Sequence, residues 1–293
     1  MGYTSMDDFI NEVTTNGKFF RNDWNKSTLP TTVYAAGNWY DWSISPGNPI
    51  AMQTFSGGTN LTASSLSDTL GVGMWTGGNV APDTKHLINM SAYSAGTTAV
   101  PGVLMLIDQL LFYPISTVTT TTSQLFDNSI TLPRYTDGVG VRAYIQATAT
   151  MGAGAPNLGL SYTNQSGVAA RSLPFVVSAP ATQPAGAIIH TGNAANRYGP
   201  FLPMAAGDKG IRSVQSITIQ TSMTSGRLTL VLCKPIVALP LTTVGVAAER
   251  DLLNQLPSLP QIQDGANLQW LYFAGAATPI STPFYGHCDF GWG

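Results

Sequence analysis

Charge is what this chain has least of. Of 293 residues, 13 are Lys or Arg and 15 are Asp or Glu, so ionised side chains make up 10% of the sequence, against about a quarter in an ordinary soluble domain. A surface drawn from such a sequence must be covered by hydroxyls and amides or by neighbouring subunits, and the scarcity of charge favours the second. The net charge is −2 and no basic stripe is present. That excludes a general electrostatic grip on nucleic acid or on anionic lipid.

Cysteine and histidine are also scarce. Cys233 and Cys288 are too few for a disulfide framework, and the sequence leaves their pairing open. Cys233 follows the apolar run Leu228-Thr229-Leu230-Val231-Leu232 and reads as a small core residue. Cys288, in His287-Cys288-Asp289, has no second sulfur nearby, so neither a metal nor another cofactor is expected. His86, His190 and His287 are the only imidazoles, and none sits in a Gly-x-Ser-x-Gly elbow or a His-Glu-x-x-His zinc motif. The expectation is a protein that is not an enzyme. Long apolar runs are missing as well. The longest, Val103 to Tyr113, is broken by Asp108 and Gln109 and suits a buried strand better than a membrane span. The opening residues Met1 to Asp8 lack a cationic flank before an apolar core, and no signal peptide is expected.

What the chain does have is hydroxyls, turns and an internal echo. Leu132-Pro133 is followed by Gly140-Val141-Arg142, and Leu202-Pro203 by Gly210-Ile211-Arg212, at a constant offset of 70 residues. The offset persists in Thr148 and Thr218, Leu158 and Leu228, Leu160 and Leu230. Alternation of Val141, Ala143, Ile145 and Ala147 with Arg142, Tyr144, Gln146 and Thr148 predicts a half-buried strand, and Leu158, Leu160 and Tyr162 predict its return. Residues 132–163 and 202–232 therefore read as a duplicated hairpin module, with Pro133, Gly140, Arg142, Pro203, Gly210 and Arg212 as its structural signature. Asp137 and Asp208 fall in the module's turns, where a carboxylate bonds local backbone. Arg142 and Arg212 are expected to bond turn carbonyls or an aspartate. Carboxylates in such turns do not read as a glycosidase pair.

The fold class that follows is all-β, mainly an antiparallel sandwich of jelly-roll-like form, with short helices near both ends. Ser5 is a good N-cap for a helix over residues 4–16, with Asp8 in the capping-box position and Gly17 ending it. A second helix is predicted over Val246 to Leu256, stopped by Pro257 and Pro260. Three parts are expected: a helix and aromatic anchoring segment (1–41), a sandwich with the repeat (42–242), and a helix and aromatic docking segment (243–293). The anchoring candidates are Phe9, Ile10, Val13, Phe19, Phe20 and Trp24. The docking candidates are Trp270, Tyr272, Phe273, Phe284, Tyr285, Phe290 and Trp292, aromatics that would be sticky if left bare. A carbohydrate-binding or adhesive face built from Trp39, Trp42 and Trp75 is the competing expectation.

The runs Leu132 to Arg142 and Gly207 to Val214, together with the opening Tyr3 to Ile10, resemble virion structural proteins of tailed bacteriophages. That resemblance implies a β-rich subunit, made in the host bacterial cytoplasm and resident in the virion. Within the class, the reading is a head decoration or cement protein whose partners are the major capsid protein or other virion subunits, with homo-oligomers expected. A tail or head-tail connector subunit is the next choice.

Overall fold

A computed structural model describes residues 2–51, 61–68, 72–96, 100–115, 118–189, 199–253, 255–256 and 258–293. It begins with a short helix α1 (Met6–Ile10), continued by a π-helical turn over Asn11–Thr15. Ser5 caps it by accepting from the Asp8 N–H, and Asp8 in turn accepts from the Thr4 N–H and hydroxyl. The chain leaves the helix through Gly17 at a positive φ of 65°.

The strands that follow are β1 (Phe19–Ser27), β2 (Trp39–Asp41), β3 (Gly47–Asn48), β4 (Ser64–Ser65), β5 (Lys85–Ser94) and β6 (Gly102–Ile115). Next come β7 (Gln124–Leu125), β8 (Arg142–Ala149), β9 (Asn157–Asn164), β10 (Arg171–Ser172), β11 (Val177–Ser178) and β12 (Ile211–Ile219). The series closes with β13 (Arg227–Leu241), β14 (Ala248–Asp251), β15 (Gln261–Ile262), β16 (Leu268–Ala274) and β17 (Pro283–Trp292). They form three antiparallel sheets. A spine sheet runs β2-β16-β6-β13-β8, with β4 also on β6. A terminal sheet runs β14-β5-β17-β1-β3, with β15 on β5, and a distal sheet runs β10-β9-β12-β7, with β11 on β9. The class is all-β and sandwich-like, as the alternation predicts.

Two sandwiches share the spine. β6 and β13, of 14 and 15 residues, are long enough to carry one core at each end. At one end Leu104, Leu106, Leu239, Leu241, Trp270 and Tyr272 face Trp24, Met90, Phe284 and Phe290 of the terminal sheet. At the other, Leu111, Tyr113, Ile145, Leu228 and Leu230 face Leu158, Leu160, Val214 and Ile217 of the distal sheet. The pairing slips by one residue between Leu232 and Cys233, where β6 carries Leu110 as the extra residue. Leu104, Leu106 and Asp108 therefore stay on the same face as Leu111, Tyr113 and Ile115.

Several expectations change here. The 70-residue offset carries β8 onto β12 and β9 onto the start of β13, but neither copy is a hairpin. β8 pairs with β13 in the spine while β9 pairs with β12 in the distal sheet. Each copy is an arch that crosses between layers, and the two arches pair reciprocally. The predicted helix over Val246 to Leu256 is β14, paired with β5 from Ala248↔Ala92 to Asp251↔Asn89. Its Leu252, Leu253 and Leu256 stripe finds no helical groove. Leu253 is exposed and Leu256 buried, while the strand side of β5 offers unpaired backbone groups that a helix would leave unmet. The three-part division also fails, because β1 and β17 are neighbours inside the terminal sheet and β16 lies inside the spine.

Candidate functional site

The aromatic ends are core. Trp270, Tyr272, Phe284 and Phe290 are fully buried and Trp24 nearly so, all within the terminal sandwich. Alternation explains this. Phe20, Asn22, Trp24 and Lys26 of β1 point inward while Phe19, Arg21, Asp23 and Asn25 point out. Phe20 packs against the core and Phe273 lies 5.4 Å from Trp39. Tyr285 stacks on Tyr93 at 5.7 Å across the outer face of the terminal sheet, and Trp292 is half-buried. At the N-terminus Phe9 meets Tyr3 edge-on at 4.9 Å, and a side chain at Gly291 would lie 3.3 Å from Val13. Lys18 clamps the helix end to Glu12 (2.7 Å) and Asp83 (2.8 Å). Of the thirteen anchoring and docking candidates, Ile10, Phe19 and Tyr285 are exposed. A partner-binding role for the fully buried aromatics is therefore corrected: they hold the terminal sandwich together. The three-tryptophan sugar face is corrected too, since Trp42 is fully buried and only Trp75, at 51%, stands out from the surface.

The repeat signature holds the two arches to each other. Gly140 N–H donates to the Lys209 carbonyl (2.9 Å) and Ile211 N–H to the Val141 carbonyl (3.2 Å). A side chain at Gly210 would overlap the Gly138 carbonyl. Arg212 donates through Nε to the Asp137 carbonyl (3.0 Å), as its place in the turn predicts, whereas Arg142 lies against the Met204 sulfur at 3.6 Å. Pro203 is buried and Pro133 exposed. Asp208 accepts from Tyr162 (2.6 Å), Asn164 (2.7 Å) and Arg171 (3.0 Å). Burial opposes its ionisation, but bonds from Arg171, Tyr162 and Asn164 outweigh that and hold the carboxyl below the usual carboxylate range. These contacts are structural.

Among the described residues, two surfaces stand out as candidate sites. The outer face of the terminal sheet gathers several of the chain's few charges. Arg21 grips both oxygens of Asp289 at 2.7 Å, Asn89 donates to Glu249 at 2.8 Å, and Ser91 Oγ lies 2.8 Å from His287 Nδ1. Ser91, His287 and Asp289 are the residue types of a hydrolytic triad. Asp289, however, spends both oxygens on Arg21 and stands 4.0 Å from the imidazole, so it does not orient the ring. His86 bonds the Leu259 carbonyl through Nδ1 at 2.8 Å, and His190 lies outside the described residues. Cys233 and Cys288 are both buried and unpaired, and burial pushes both thiols up, away from the reactive thiolate.

The second surface is a groove of about 420 Å³ on the outer face of the distal sheet. Gly159, Ser161, Ser216, Thr218 and Gln220 form its floor, and Leu173, Phe175 and Val176 its lip. The lip exists because β10 pairs with β9 at Tyr162 and Ser161 and β11 pairs with it at Leu158 and Asn157, leaving residues 173–176 to loop out between them. The alternation predicts the strands of the floor but not the groove. The signal that could have found it is the outward set Asn157, Gly159, Ser161 and Thr163 of β9, which alternates with the core set and carries no charge.

Comparison with known proteins adds little. No family model matches the chain, and no curated protein matches it. Among solved structures it is similar to a chain of the structure of infectious bursal disease virus Gt strain, at 10% identity and a TM-score of 0.19, covering 94% of this chain and 80% of that one. A likeness at that score carries no argument about fold or function.

Proposed function

We propose that the chain is a structural subunit of a bacteriophage virion, of the kind that decorates or cements the head shell through protein-protein contacts. The observation that carries this reading is apolar exposure in a charge-poor chain. Val33, Ile50, Val246, Leu253 and Ile280, in the loops and edges of the terminal sandwich, are 49 to 70% exposed. A chain with 10% charged residues has little with which to keep such side chains apart in solution, and neighbouring subunits would cover them. The resemblance of Leu132 to Arg142 and Gly207 to Val214 to phage virion proteins points the same way. Two cores built on one shared sheet suit a block that bears load.

Contact is assigned to these surface residues and not to the aromatic ends, which fold into the body. Deleting residues 1–26 would remove most of β1 and is not a clean test. Light scattering across a concentration series is expected to show self-association, weakened by Leu253→Lys together with Val33→Glu. A chain that stayed solitary at every concentration and left phage heads unoccupied would sink the assembly reading.

A further inference from the structure

The distal groove is built unlike the rest of the surface. Gly159 sits in the middle of β9 with a negative φ, and a side chain there would meet nothing closer than Thr218 Cβ at 3.6 Å and Gln220 Nε2 at 3.8 Å. Neither backbone nor packing requires glycine at this position. The other strand glycines are all crowded. Gly102 and Gly286 have backbone carbonyls where a Cβ would go, Gly291 has the Tyr3 hydroxyl there, and Gly47 combines a positive φ with the Asn25 carbonyl. Glycine inside a strand weakens the strand, and it marks places where a ligand or another backbone comes close. On the floor of an open groove, the freed space faces outward.

The polar groups around Gly159 are idle. Among the described residues, the hydroxyls of Ser161, Ser172, Ser216 and Thr218 and the amide of Gln220 bond no other protein group. On the outer face of the terminal sheet, by contrast, Arg21, Asp289, Asn89, Glu249, Ser91 and His287 consume one another's hydrogen bonds. The groove lining holds no ionised side chain, so the ligand it fits is neutral. Hydroxyls and an amide both donate and accept, which matches a polyol. The lip supplies an apolar wall, with Phe175 at 43% exposure as the ring for the C–H face of a sugar. The volume lies within the usual range for small-ligand clefts.

Two rivals fit less well. An extended peptide recognised by strand addition needs a run of open sheet edge, and β9 is paired along one side by β12 and on the other by β11 at Asn157 and Leu158 and by β10 at Ser161 and Tyr162, which leaves only Gly159 and Leu160 bare between them. A docked protein subunit wants an apolar centre with a polar rim. Here the lining mixes Ser161, Ser172, Ser216, Thr218 and Gln220 among its leucines, Phe175 and Val176, with no wholly apolar patch.

We infer that the outer face of the distal sheet is a binding site for a neutral saccharide, seated on Gly159 and held by the surrounding hydroxyls and the Gln220 amide. The test is an array of neutral oligosaccharides of glucose, mannose, galactose and N-acetylglucosamine, with sialylated and sulfated glycans alongside, followed by titration of the best neutral ligand. The full chain is expected to retain at least one neutral glycan with a dissociation constant on the order of a millimolar or tighter. Gly159→Val, which fills the floor, is expected to leave the melting temperature unchanged or raised while weakening that ligand by at least about tenfold. Thr218→Arg, on the neighbouring strand, is expected to do the same and serves if the first variant folds poorly. The inference is overturned if no neutral glycan binds, if charged glycans bind in preference, or if both variants bind as the parent does. Loss of self-association in these variants without any glycan binding would give the face to a second copy of the chain, and would overturn it too.

Discussion

Replacing Arg134 by alanine is expected to cost about 3–5 kcal/mol of folding stability, read as a fall in the urea midpoint. Arg134 donates to both oxygens of Asp108 (2.6 and 2.8 Å) and to the carbonyls of Leu66 and Gln109 (3.0 Å each). Asp108 also accepts from the Asn267 N–H at 3.0 Å, and its side chain is entirely buried. The pair lies on the inward face of the spine, in the seam between the two hydrophobic cores. Without the guanidinium, burial acts on the carboxyl with its counterweight gone and pushes it toward the protonated form. Arg134→Lys is expected to recover only part of the loss, since an ammonium cannot supply the planar fork. Replacing both partners, as in Asp108→Asn with Arg134→Ala, is expected to cost less than the sum of the single changes. A loss under about 1 kcal/mol for Arg134→Ala, the range of exposed pairs, would mean that the seam is solvated.

Lys26→Met is expected to work in the opposite direction, stabilising the fold at neutral pH by about 1–3 kcal/mol. Lys26 is buried on the inner face of β1, where its ammonium donates to the Ser45 carbonyl at 2.9 Å. Burial pulls its pKa down to about 7, against an opposing pull from Asp41. An unfolded lysine titrates near ~10.4. Between about pH 7 and pH 10 the unfolded chain therefore holds a proton that the folded chain has released, so stability rises with pH across that window. Below it the penalty is present in full. Denaturant melts at pH 7 and 9.5 should show the parent gaining stability relative to Lys26→Met, since the buried thiols and Lys85 contribute alike to both proteins. Equal slopes in the two proteins would show that Lys26 keeps its charge at an ordinary cost.

These two residues also show where the sequence is hard to read. Alternation along Ala143 to Thr148 and along Leu158 to Tyr162 gives the strands, and Ser5 with Asp8 gives the N-terminal cap, because those signals are local. Lys26 occupies an inward position of a period-two strand whose other inward residues are Phe20, Asn22 and Trp24. The segment looks like a surface anchor until β17 and β3 are known to flank it. The 70-residue echo is visible in the sequence, but whether each copy closes as a hairpin or spans two layers depends on which strand waits beside it, and β13 and β12 lie far along the chain. Val246 to Leu256 has leucines at helical spacing, yet the free side of β5 decides its conformation. Exposed rings are the usual sequence sign of a sugar-binding face, which is why Trp39, Trp42 and Trp75 stand out in the sequence. Gly159, set between Leu158 and Leu160, gives little signal until its surroundings are seen to leave it unexplained.

The continuity of β6 and β13 through both sandwiches sets how the molecule fails. Neither lobe owns a complete set of strands, so a fragment cut between them would lack a layer for its core. Heat or denaturant should therefore take the protein apart in one cooperative event, and a force pulling on the terminal lobe passes straight along two backbones into the distal one.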